Sequence, residues 1–164
     1  MRAFFPLFGD LAVGGLLCVA LLLAGCNTAG SKQESFYQRL SGDWRLERLE
    51  GVGFDYSATI AERYPSGVRL TFQEADGGRT YTIVGRAASD SLRRIAKGRV
   101  VLPGENVLGM TSGFSREVTW RYRFPTSTRV LFEGERGSRT FLAALLPGGG
   151  QTQDVQMTLA RTER

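Results

Sequence analysis

Cys26 is the side chain best placed for chemistry in this chain. It follows two small residues, Ala24 and Gly25, at the end of an unbroken apolar run from Leu11 to Leu23. A thiolate is a nucleophile, and small residues just before it leave the peptide bond accessible to a processing peptidase. The other cysteine, Cys18, lies inside the apolar run. There is no histidine, which removes Ser-His-Asp and Cys-His nucleophiles and most zinc sites. No Gly-x-Ser-x-Gly elbow or Ser-x-x-Lys occurs, and the acidic residues lack calcium-loop spacing. Pro147 to Thr152 has no phosphate-loop lysine and reads as a turn. Glu133 and Glu135 flank Gly134; two carboxyls about 5–9 Å apart would suit glycoside hydrolysis, but in a turn between strands they read as solvated charges. The residues call for no enzyme, no metal and no cofactor.

The segment around Cys26 has the layout of an export signal. Arg2 supplies a positive start, and the apolar run of thirteen residues is cut off from Phe4–Phe8 by Asp10. A transmembrane helix needs about 20 apolar residues, so cleavage is expected rather than insertion. Leu23, Ala24, Gly25 and Cys26 resemble the lipobox of bacterial lipoproteins at every position. The resemblance implies diacylglycerol on the Cys26 sulfur and cleavage between Gly25 and Cys26, with further acylation such as palmitate on the new amino terminus. Two or more acyl chains give stable membrane attachment, at about 0.8 kcal/mol per buried CH₂. Asn27 takes the place of the Asp that favours inner-membrane retention, so the expected address is the periplasmic face of the cell outer membrane. Cys26 would be the only cysteine left after cleavage, so no disulfide is expected in the mature domain.

Three regions follow: a signal peptide over 1–25, a lipidated tether over 26–35, and one domain over 36–164. The small polar residues of the tether reach at most about 30 Å from the lipid when extended. After cleavage 139 residues remain, enough for one core, and the formal net charge stays +5 because Arg2 and Asp10 cancel. Eighteen of the twenty remaining basic residues are Arg, spread along the chain rather than clustered. Nucleic acid, which selects a basic patch or stripe, is not an expected partner. The membrane is, through the lipid.

Phe36, Tyr37 and Leu40 lie at helical spacing just before Ser41-Gly42-Asp43-Trp44. Beyond them the period becomes two. Apolar residues alternate with polar ones from Trp44 to Leu46, from Val68 to Phe72, at Tyr81 and Ile83, and at Val100 and Leu102. The pattern resumes from Val118 to Phe124, at Val130 and Phe132, from Phe141 to Leu145, and from Val155 to Leu159. These are eight candidate strands. Turn residues at Asp76–Gly78, Pro125–Ser127, Gly134–Gly137 and Pro147–Gly150 favour up-and-down connections. Between Ser89 and Ala96, Leu92 and Ile95 stand three apart and predict a short surface helix, and Ile60 to Tyr64 interrupt another long connection. The expected fold class is all-β, an eight-stranded up-and-down antiparallel barrel with a signal helix and one or two short helices, since closure buries one face of every strand and removes the edges. An open or sandwich arrangement of the same strands is the rival, which alternation alone does not exclude.

Gly42-Asp43-Trp44 after a helical turn resembles the Gly-x-Trp motif of lipocalins, and Arg161 is similar in position to the lipocalin Arg that packs over that Trp. The resemblance implies a lipocalin-like barrel closed by the pair Trp44 and Arg161. Gly134–Ser138 does not carry the family's second motif. Phe72, Tyr81, Trp120, Tyr122, Phe132 and Phe141 are the inward aromatics, and they line the cavity of a binder for a small apolar ligand or lipid. Eight-stranded barrels are also found filled by side chains, which makes a solid, non-catalytic module contacting another envelope protein the alternative. Arg121 and Arg123 alternate with core positions and are read as solvating the exterior.

Overall fold

Alternation at period two puts every second side chain of a strand on one face, and in this protein that face turns inward around a common core. The computed structural model describes residues 34–75, 77–87, 91–111, 114, 117–147 and 154–162. The apolar run, the Leu23–Cys26 motif and most of the tether lie outside the described residues, as does part of the 147–152 turn.

Residues 34–40 form helix α1, at the helical spacing of Phe36, Tyr37 and Leu40. Residues 39–164 form a compact unit. It contains β1 (Gly42–Gly51), β2 (Phe54–Asp55), α2 (Ser57–Arg63), β3 (Val68–Ala75), β4 (Gly78–Arg86), β5 (Leu92–Gly104), β6 (Val107–Thr111), β7 (Val118–Arg123), β8 (Arg129–Arg136), α3 (Ser138–Leu145) and β9 (Gln156–Arg161). Each strand from β3 onward pairs antiparallel with the next, and β1 pairs with both β3 and β9. That last pairing closes an eight-stranded up-and-down barrel. Strand β2 is a two-residue hairpin partner for the end of β1. The inward residues are apolar, and the outward ones, such as Thr119, Arg121 and Arg123 of β7, are mostly polar. This is the reverse of a membrane-spanning barrel, whose lipid face is apolar.

Three expectations about elements are corrected. Phe141 to Leu145 is helix α3, not a strand, because Leu142 is buried alongside Phe141 and Leu145 while Ala143 is exposed; burial follows the helical period. The chain enters α3 through Gly137 at φ 69°, and Gly134 lets Ser138 approach so closely that an added Cβ would lie 2.4 Å from its Cβ. The segment after Ser91 is the start of β5, not a helix. A bulge places Ile95 between Arg94, opposite Val84, and Ala96, opposite Ile83. The extra residue shifts the phase of the alternation, and that shift produces the three-residue spacing of Leu92 and Ile95. Finally, the eighth barrel strand is β6, with Leu108 and Met110 inward. Gly109 interrupts its outer face and is covered so tightly that an added Cβ would lie 2.6 Å from Val101 Cγ2.

Candidate functional site

Two places in the barrel gather the residues that the sequence singles out: the seam at its base and the aromatic interior. At the seam, Trp44 and Arg161 stand opposite each other across β1 and β9. Trp44 is fully buried, and its indole Nε1–H donates to the Leu40 carbonyl at 2.7 Å. The Arg161 guanidinium lies over the indole with Cζ 4.8 Å from the ring centroid, and Nη2 donates to the Arg39 carbonyl. A planar cation on an indole face is attracted by the ring quadrupole, by about 0.5–1 kcal/mol at exposed sites and more where water is excluded. Arg39 in turn sits 4.2 Å over Phe124, whose ring is 6.3 Å from that of Trp44. Thr162 N–H donates to Asp43 O at 3.0 Å, and Asp43 Oδ1 accepts from Thr71 Oγ1 at 2.6 Å. The base is thus tied across β9, β1 and β3.

Inside, Phe72, Tyr81, Trp120, Phe132 and Phe141 are fully buried, and Tyr122 is 8 % exposed. The rings pack on one another. Trp120 meets Phe141 edge-on at 5.0 Å and Phe132 at 6.2 Å, and Phe132 lies 6.4 Å from Tyr122. Phe141 reaches this cluster from α3 rather than from a strand. Phe114, which the sequence pattern does not mark because no alternation surrounds it, bridges Tyr81 at 6.0 Å and Phe141 at 5.8 Å. Burial pushes the Tyr122 phenol up to about 12, opposed by a backbone hydrogen bond from Asn106 and aided by the charge of Glu105. Trp120 Nε1 is buried with no hydrogen-bond partner among the described residues, a cost of roughly 1–3 kcal/mol for a stranded donor.

The end of the barrel away from Trp44 is covered by α2, α3 and Tyr64, the first residue after α2. Tyr64 is buried against Gly85, where a Cβ would lie 2.4 Å from the ring, and its hydroxyl donates to Leu145 O at 3.3 Å. Leu142 and Leu145 are fully buried beneath α3. A cavity of about 130 Å³ lies between α2 and β1, lined by Leu46, Leu49, Ile60, Tyr64 and Val68 among others; ligand pockets usually hold about 300–1,000 Å³. A larger cleft of about 590 Å³ at the start of α3 is open to solvent and lined by Glu117, Glu135, Arg136, Arg139 and Asp154 with the turn residues beside them.

Glu133 and Glu135 face the outer surface. Arg121 Nη2 is 2.7 Å from Glu135, and Arg123 Nε is 3.8 Å from Glu133. Each carboxylate therefore faces an arginine of β7 rather than its fellow carboxylate across a cleft. Among the described residues no group of three or more acidic or thiol side chains could hold a metal. Cys26 and Gly25 lie outside the described residues.

The chain matches no protein-family model and no curated protein. Among solved structures it is similar to a redesigned β-barrel at 13% identity and a TM-score of 0.44, over 77% of this chain and 95% of that one.

Proposed function

We propose that this protein is a lipid-anchored, lipocalin-like module of the bacterial envelope, with a non-catalytic barrel filled by its own side chains. Cys26 carries the lipid, and the tether holds the domain near the periplasmic leaflet of the outer membrane. The barrel is a scaffold, and contacts with an envelope partner fall to its surface. The observation that carries this reading of the barrel is the packing of Trp120 on Phe132 and Phe141 beneath a covered end: an apolar ligand would have to displace rings already in contact. The Leu23–Cys26 pattern supports the anchor.

Binding of a small apolar ligand or lipid inside the barrel is the second reading, favoured by one observation, the stranded Trp120 Nε1–H. It requires α3 to swing away and a ligand acceptor to take that proton donor. Two measurements separate the possibilities. Cells fed labelled palmitate should label the wild-type protein, while Cys26→Ala should stay unlabelled and uncleaved; equal labelling of the variant would remove the anchor. Native mass spectrometry of purified protein titrated with palmitate should show no saturable complex, and a one-to-one complex would favour the binder.

A further inference from the structure

Four of the arginines that the sequence scatters are brought together with Lys97 on one side of the barrel. Following the strand register, Arg45 of β1 stands opposite Arg69 of β3, Arg69 opposite Val84 of β4, and Val84 opposite Arg94 of β5. Adjacent strands lie about 4.8 Å apart, so these three cations form a row across four strands. A column along β5 meets the row: the outward positions of that strand are Leu92, Arg94, Lys97, Arg99 and Val101, and all are exposed. The outward positions of β3, β4 and β5 contain no acidic residue.

The other side of the barrel is built differently. There Arg121, Arg123, Arg129 and Arg48 stand within ion-pair distance of Glu135, Glu133, Glu47 and Glu50 respectively. Among the described residues, no carboxylate pairs with Arg45, Arg69, Arg94, Lys97 or Arg99. Two carboxylates border the face: Asp43, which accepts from Thr71, and Glu117, whose Oε1 lies beside Gly109 opposite Val101. Five cations against these two leave a net positive face whose like charges repel one another. An external anion relieves that.

We propose that the β3–β4–β5 face docks on an anionic lipid surface. Leu92 at 65% and Val101 at 41% exposure bracket the cations on the same strand face. Aliphatic side chains beside cations gain from an acyl boundary as well as from phosphates, and guanidinium matches phosphate in a bidentate fork. A single-stranded nucleic acid would call for stacking aromatics, and the outward positions of these three strands have none. The inference deepens the envelope reading, since the proposed tether keeps the domain within reach of such a surface.

The test uses the full chain made in a cell-free system without lipidating enzymes, so that no acyl chain contributes. Binding is compared on phosphatidylcholine vesicles and on vesicles with 30% phosphatidylglycerol. The apolar segment before Cys26 contributes to both, and the gain on adding phosphatidylglycerol reads the face. Each cation near the surface is worth roughly fivefold. R94Q/K97Q/R99Q should therefore cut the gain by more than tenfold, while R121Q/R123Q/R129Q, with the same net charge, should retain most of it. Circular dichroism checks that both variants fold. Equal losses in the two variants, or no gain for the wild type, would overturn the proposal, and so would tighter capture by heparin than by the charged vesicles. Failure here leaves palmitate labelling of Cys26 untouched, so the anchor and the face stand or fall separately.

Discussion

At the scale of single residues, the base of the barrel depends on the shape of a side chain more than on its charge. Arg161 holds two contacts at once, the face of Trp44 and the Arg39 carbonyl, and only a planar fork can do both. Arg161→Lys keeps the charge and loses the geometry, so urea unfolding should show a loss of about 1–2 kcal/mol. A change below about 0.3 kcal/mol would mean the stack contributes nothing. Tyr122 allows a test by pH. Its phenol is held near 12 by burial, against about 10 in an unfolded chain. Between those values the native state keeps a proton that the unfolded state has released, so stability falls as pH rises through 10 to 12. Tyr122→Phe should flatten that part of the curve in thermal unfolding measured from pH 9 to 12.

At the scale of elements, what was legible in the sequence depended on whether alternation ran unbroken. Strands β3 and β7 stand where Val68–Phe72 and Val118–Phe124 placed them, because each has a clean apolar face. Where an extra residue or a glycine intervened, the period misled. The Ile95 bulge turned a strand into an apparent helix, and Gly109 hid β6. Helix α3 was hidden in the opposite way: Phe141, Ala143 and Leu145 fit period two by coincidence, while the buried Leu142 does not. That difference is testable. Ala143→Asp should be nearly neutral, within about 0.5 kcal/mol as for an exposed site. Leu142→Asp should unfold the domain by burying an unpaired charge. A strand would give the reverse order in thermal melts, since Ala143 would then share the face of Phe141.

At the scale of the whole molecule, closure does what no single element can. Arginines spread along the chain predict no patch, yet the register of β1, β3, β4 and β5 aligns Arg45, Arg69 and Arg94. Sequence distance and surface distance part company in a meander: the facing pairs Arg45 and Arg69, Arg69 and Val84, and Val84 and Arg94 are 24, 15 and 10 residues apart along the chain. The inward aromatics were legible from alternation, but whether they line a hollow or fill it depends on α3 and Phe114, which alternation did not reveal. Closure itself rests on the β1–β9 pairing, which runs from Trp44↔Arg161 to Glu50↔Gln156 with a bulge after Leu46. In an open sheet these two strands would be edges with exposed amides. In the barrel the seam opens only with larger unfolding. Amide hydrogen exchange should therefore give the β1–β9 seam protection within about tenfold of that across β3–β4, equivalent to about 1.4 kcal/mol in opening free energy. Seam amides exchanging at the rate of a free edge, while β3–β4 stays protected, would show that the eight strands form an open sheet and that the Trp44–Arg161 contact does not hold its two ends together.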